Sequence, residues 1–284
     1  MKPGQVRMPV VAGQFYEGGA TSLTRQIEQC YLSPLGPGRL PAVNRDGPRR
    51  IVGLVSPHAG YFFSGPTAAH GYSALGADGQ PGVIVIVGLN HGRLGHASAV
   101  QTAGAWRTPL SDAVVDHEVA ARIAEPLKGF STDASAFAGE HSLEVQLPFL
   151  QDLYEEVLRF VPVMMAAQDL FTAEAVGHAI AAGLEGRDAA IVASTDMTHY
   201  ESPDTARRQD RLLIERIEAM DHEGLISTQQ ARGISMCGVG PVAAMLIAAK
   251  ALGATQARTL AYSTSGDVMP SPQVVGYLSA VVTR

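Results

Sequence analysis

Val83-Ile84-Val85-Ile86-Val87-Gly88-Leu89-Asn90-His91-Gly92 is the stretch that decides the fold. Its five leading β-branched residues suit an extended backbone. An apolar run without polar alternation suits a strand covered on both faces. The run closes at Gly88, and a histidine follows almost at once. In open α/β sheets, ligands bind beyond the carboxyl ends of the strands, so His91 stands where chemistry is expected.

Working outward, the pattern recurs. Short apolar runs predict strands over 51–56, 83–88, 157–164, 189–194, 259–263 and 274–282. Helical spacing predicts helices over 66–75, 116–124, 173–184, 203–220 and 241–252, with an amphipathic helix over 22–31 before them. This alternation predicts one α/β domain, 1–284, with a mainly parallel or mixed central sheet and helices on both faces. The helix after Tyr200 carries its own start signal. Ser202 is suited to N-cap it, Pro203 to its first position and Asp204 to the dipole, and Leu213, Ile217 and Met220 form its apolar stripe. The Pro- and Gly-rich stretch 33–49 reads as a surface loop.

The composition narrows the class. The chain has 284 residues, 17% charged and 46% hydrophobic, with a formal charge of −6, which describes a globular protein with a sizeable core. Net acidity, with no Lys/Arg run longer than a pair such as Arg49-Arg50, argues against nucleic acid as the partner. Two cysteines far apart make no disulfide framework. The most apolar helix, 239–249, is interrupted by Gly240 and Pro241 and is too short to span a membrane. Lys2-Pro3-Gly4-Gln5 does not begin a signal peptide. A cytoplasmic protein is expected.

Three more segments bring ionisable groups to the ends of apolar runs. His58 sits in Pro57-His58-Ala59-Gly60, where Gly60 would permit a tight turn or a close backbone approach. Asn90 would serve as the acceptor that fixes the second nitrogen of His91, or simply cap the loop. Asp196 and His199, three apart, would share one side of a helical turn, a carboxylate beside an imidazole. In Glu140-His141-Ser142-Leu143-Glu144-Val145-Gln146, Ser142 would cap a helix, Glu144 would lie in its first turn and Pro148 would end or kink it, with His141 facing the same pocket. Each has a plain alternative: a histidine bonded to a carbonyl, or Thr195 and Asp196 as caps. His70, His96, His117, His178 and His222 read as surface or structural residues.

Cys237, in Ser235-Met236-Cys237-Gly238, precedes the long apolar helix and reads three ways. It could be a nucleophile helped by the helix start, a soft metal ligand, or a small apolar filler. Cys30 reads as filler. No Cys-x-x-Cys, His-Glu-x-x-His, P-loop, Gly-x-Gly-x-x-Gly or Gly-x-Ser-x-Gly motif is present.

Taken in order, the segments resemble the Memo family, whose bacterial and archaeal members are also called AmmeMemoRadiSam system protein B. The resemblance rests on Ala12-Gly13-Gln14-Phe15-Tyr16, Pro57-His58-Ala59-Gly60-Tyr61, Gly88-Leu89-Asn90-His91, Arg107-Thr108-Pro109-Leu110 and Glu140-His141-Ser142-Leu143-Glu144. It continues through Ser194-Thr195-Asp196-Met197-Thr198-His199, Met236-Cys237-Gly238 and Tyr262-Ser263-Thr264-Ser265-Gly266-Asp267.

The resemblance implies a fold related to class III extradiol dioxygenases. It also implies a pocket for a redox metal, iron (Fe2+) first and copper or zinc as alternatives, with His58, His91 and Cys237 as ligands. His199, Asp196 and His141 would line the pocket as catalytic groups. Family association further implies AMMECR-type and radical-SAM partners. Where some members carry Cys-Gly-Arg-His-Pro, this chain has Cys237-Gly238-Val239-Gly240-Pro241, without the basic feature. Three functions follow as expectations. The first is a metal-dependent oxidoreductase acting on a small molecule. The others are a non-catalytic binding protein with a vestigial pocket, and a cysteine-nucleophile enzyme with His199 or His58 as base.

Overall fold

In a computed structural model, which describes residues 5–92, 96–127, 134–154 and 158–284, strands and helices alternate as the sequence requires. The chain begins with β1 (Val6–Arg7), α1 (Ala20–Leu32), β2 (Ile51–Ser56), α2 (Tyr61–Asp78) and β3 (Val83–Leu89). Then come β4 (Ser98–Val100), β5 (Ala105–Arg107), β6 (Asp112–Val115), α3 (His117–Ala124), α4 (Leu147–Tyr154) and β7 (Arg159–Met165). The second half carries α5 (Leu170–Leu184), β8 (Ala189–Ser194), β9 (His199–Glu201), α6 (Pro203–Glu218), α7 (His222–Arg232) and α8 (Val239–Ala251). It closes with β10 (Gln256–Thr264), α9 (Ser265–Val268) and β11 (Val274–Thr283).

Eleven strands form one mixed sheet in the order β1-β5-β6-β7-β3-β8-β2-β11-β10, with β4 on β7 and β9 on β11. From β6 to β2 the neighbours are parallel, and β11 and β10 extend that block antiparallel. Every residue of β2, β3 and β8 is buried, as strands covered on both faces must be. Period-two alternation sorts β2 between two helices. A Cβ at Gly53 would meet Met245 of α8, whereas Leu54 lies against Gly71 of α2. Helices α1, α2 and α4 therefore cover one face, and α3, α5, α7 and α8 pack together on the other.

Most predicted boundaries fall within a few residues of the observed ones, and the differences have local causes. Helix α2 starts at Tyr61, with Pro66 inside it and not at its start. Ser202 does cap α6, accepting from Thr205 N at 3.3 Å, and Leu213, Ile217 and Met220 are all buried. Met220, however, lies beyond the helix with φ +53°. Glu144 opens a 3-10 turn over Glu144–Gln146, and Pro148, the second residue of α4, stands where that turn gives way to the α-helix. Of strand 157–164, Val157 lies outside the described residues, as do Lys2, Pro3 and Gly4. Among the described residues no helix is long and apolar enough to cross a membrane.

Candidate metal centre

Parallel strands in register end at one pole, and this carries the chemistry there. Ser56 pairs with Ser194, Val87 with Ala193, and Leu89 with Met165. Two residues beyond the last residue of β2, β3 and β8 stand His58, His91 and Asp196, respectively. Cys237 arrives from the opposite direction, just before Gly238, the N-cap of α8. Glycine is required there by close approach: a Cβ at Gly238 would sit 2.6 Å from the Ser194 carbonyl oxygen. Gly238 N donates to Thr195 Oγ1 at 3.0 Å, and Gln168 holds the same turn by donating to Cys237 O at 2.6 Å and accepting from Gly240 N at 3.0 Å.

The structure brings His58, His91 and Cys237 together, one potential ligand atom of each lying within 4.8 Å of the other two. His58 Nε2 is 3.3 Å from Cys237 Sγ. Sulfur and nitrogen bound to one tetrahedral ion at ordinary zinc distances would be about 3.6 Å apart, so the pair is spaced to share a cation. Asp196 does not face this gap as a free carboxylate. Its Oδ1 accepts from His58 N at 2.8 Å, and its Oδ2 lies 3.9 Å from His58 Nε2. Its backbone N–H points at Cys237 Sγ, 3.2 Å away.

His141 joins from outside the sheet. Its ring stacks on His91 with centroids 4.5 Å apart and meets Phe15 edge-on at 4.8 Å. His199 stands apart from the cluster. Residues 195–198 form no helix, so Asp196 and His199 do not share a turn. The His199 Nδ1 meets Ser235 O at 3.0 Å, and its N–H donates to Ser235 Oγ at 2.8 Å.

Three smaller expectations also change. The acceptor on His91 Nδ1 is Glu140, at 2.9 Å, not Asn90. Ser142 caps nothing; its N–H donates to the same Glu140 carboxylate at 2.7 Å. Gly60 has φ −57°, an ordinary value that does not require glycine.

Burial dominates the electrostatics. It drives the His58 imidazole down to about 3, with the neighbouring His91 charge adding to the effect. Burial and then His58 lower His141 to about 4. Burial, then the Asp196 charge, push the Cys237 thiol up. Burial also raises Asp196. Glu140 runs the other way: burial pushes it up, but His91 and the backbone N–H groups outweigh that and hold it at about 2. The thiol and His58 therefore rest as a neutral pair. A bound cation would reverse only the preference of the thiol, because the ligand forms are thiolate and neutral imidazole. The donor set fits a metal.

Several contributors escaped the sequence reading. Ser194 and Gln146 stand behind His58, and Glu140 behind His91. Glu144, fully buried, accepts from Arg7 Nη1 at 2.6 Å, from Val10 N and Val11 N, and from Tyr16 Oη at 2.8 Å, which ties residues 7–16 beside the pocket. Arg7 and Glu144 are 137 residues apart, so no spacing could have paired them. Elsewhere Glu174, His222 and Glu223 gather polar atoms on α5 and α7, with the Lys250 ammonium acting against a cation at His222.

The Memo-like protein family matches residues 7–281 of this chain. A MEMO1 family protein of Methanopyrus kandleri is 50% identical, covering 98% of this chain and 99% of its own length. Counterparts from Methanothermobacter thermautotrophicus and Pyrobaculum aerophilum are 46% and 42% identical, covering 96% and 99% of this chain and 98% and 100% of their own lengths. With the match running through every segment that builds the pocket, the chain belongs to the Memo-like protein family.

Proposed function

We propose that this protein binds one transition-metal ion through His58, His91 and Cys237 and uses it for redox chemistry on a small molecule. The observation that carries this reading is the gathering of two imidazoles and a thiol within 4.8 Å at the carboxyl pole of a parallel sheet. A thiolate with imidazoles selects iron, copper or zinc over magnesium or calcium, and iron is the first choice, since a set of three leaves coordination positions open. When bound, the ion would supply Lewis acidity and, as iron or copper, a site for electron transfer. His58 and Cys237 would hold it from the buried side. His141, with no hydrogen bond at either ring nitrogen among the described residues, would orient a substrate or move a proton at its exposed edge. Phe15 would keep water from one side of that ring.

The nucleophile reading is weaker, because burial keeps Cys237 protonated and His58 neutral. Elemental analysis of protein purified anaerobically tests the proposal. About one equivalent of metal is expected in the wild type. In His91→Ala and Cys237→Ser, affinity should fall beyond the about 10–100-fold typical of an outer partner. Retention of metal by Cys237→Ser would defeat it, as would a wild-type thiol that alkylates equally fast with and without a chelator.

A further inference from the structure

Hydrogen-bond accounting around the two buried-side partners fixes more than ligand identity. Ser194 Oγ lies 2.6 Å from Ser142 O, a carbonyl that can only accept, so the hydroxyl hydrogen is committed there. Gln146 Nε2 donates to Pro57 O at 3.0 Å, which fixes the orientation of its amide, and it also donates to Ser194 Oγ at 2.8 Å. Tyr72 Oη donates to Gln146 Oε1 at 2.5 Å and completes that orientation. Ser194 has one lone pair left, and it faces His58 Nδ1 at 2.9 Å. His58 Nδ1 must therefore carry the ring hydrogen.

An independent count gives the same answer for His91. Four N–H groups converge on the Glu140 carboxylate: His91 N at 2.7 Å, His91 Nδ1 at 2.9 Å, His141 N at 2.8 Å and Ser142 N at 2.7 Å. A carboxylate surrounded by donors only accepts, so His91 Nδ1 is also the protonated nitrogen. The form of each imidazole that can bind a cation is the neutral one, which has one N–H. Each Nε2 is then a lone pair, and that of His58 lies 3.3 Å from Cys237 Sγ.

We propose that Ser194 and Glu140 are positioning residues that lock both imidazoles in the Nδ1–H tautomer, so that both Nε2 lone pairs are available to one cation. Neither residue touches the ion. The consequence for metal affinity rests on the metal-binding reading above; the tautomer assignment does not. Gln146 supports the device from one step further back by filling the second lone pair of Ser194.

The test is long-range 1H–15N correlation on the full, 15N-labelled, metal-free chain, paired with Zn2+ titration. Both rings of the wild type should give the Nδ1–H pattern. Ser194→Ala should release His58 into a tautomer mixture. Glu140→Gln should release His91, because an amide cannot accept from all four donors. Each variant should bind Zn2+ about 10–100-fold more weakly, with the far-UV circular dichroism of the wild type. An Nε2–H pattern at either wild-type ring overturns the proposal, and so does a loss of affinity without a change of tautomer. Should Glu140→Gln fail to fold, Ser194→Ala and the wild-type spectrum still decide. A wild type with both rings Nδ1–H and no Zn2+ uptake would sink the metal-binding reading and leave the tautomer assignment standing.

Discussion

The two halves of the pocket are built from different materials. His58, Asp196 and Cys237 stand at the end of the sheet itself, two residues beyond β2 and β8 and just ahead of α8. Their partners are hydroxyls and backbone groups: Ser194, Thr195 and the N–H of Asp196. His91 and His141 form the other half, which is open: the His91 side chain is 39% exposed, against 2% for His58. Behind it lie charges, with Glu140 under both histidines and the buried Arg7–Glu144 pair close by. The difference follows from the ladder. Parallel strands already fix their own ends, whereas residues 140–146 lie outside the sheet and need other anchors. Charge is an anchor in one half and a liability in the other.

Removing the deepest anchor should have the largest effect. Glu144→Ala leaves Arg7 with the carbonyls of Phe137 and Glu140 and the face of Trp106 but no counter-charge, and it unties Val10, Val11 and Tyr16. Breaking one side of a buried ion pair costs about 3–5 kcal/mol, so a comparable drop in urea-unfolding free energy is expected. The loosened Phe15 should also expose His141 to solvent. A loss under about 1 kcal/mol, the scale of an exposed pair, would erase the distinction between the halves.

Asp210 tests the sheet-built half. Its carboxylate, fully buried on α6, accepts from Thr198 N at 2.9 Å and from Tyr262 Oη at 2.6 Å, and so holds the segment between β8 and β9. A Cβ at Gly276 would overlap it, which explains the glycine in β11. Asp210→Ala should cost about 1–3 kcal/mol, the price of stranding a buried donor. Asp210→Asn keeps an acceptor and should cost less. Burial raises the Asp210 carboxyl above its ordinary value, despite opposing hydrogen bonds. A raised folded value gives stability that is complete below the unfolded pKa and lost as pH climbs through the folded one. Asparagine has no such loss. Urea melts should therefore shift in favour of Asp210→Asn, relative to the wild type, as pH rises above the ordinary carboxyl range. A gap independent of pH would mean that Asp210 titrates as a solvated carboxyl.

The sequence made the first half legible and much of the second illegible, for one physical reason. A strand-end residue can be read from the apolar run before it. His58, His91 and Asp196 were each visible as the polar group after a buried strand, and Cys237 as the residue before a buried helix. Strands β4, β5, β6 and β9, of three or four residues, are too short for a period to register. Glu140 stood next to His141 in a recognisable motif, yet its role depends on a carboxylate folding back onto His91, 49 residues away. The group on His91 Nδ1 is Glu140 and not Asn90, the nearer candidate in sequence. Spacing misled at His199 because a three-residue interval implies one side only if the backbone is helical.

His199 supplies the smallest expected effect and the sharpest boundary between the halves. Sequence puts it three residues after Asp196, inside the same motif, yet β9 carries it away from the ligand cluster and onto Ser235. Its charge still reaches His58 and Asp196, so it belongs to the electrostatics of the pocket. Its ring is not among the atoms that gather around Cys237. His199→Ala should then leave Zn2+ affinity near the wild-type value and stability within about 0.5 kcal/mol, as for most substitutions away from the core. If turnover of a small substrate is found, the same variant should lower it while the metal stays bound, separating proton transfer from ion holding. Loss of the metal instead would make His199 a ligand in the occupied state. The segment after β8 would then have to move on binding, and the sheet-built half would no longer be the rigid one.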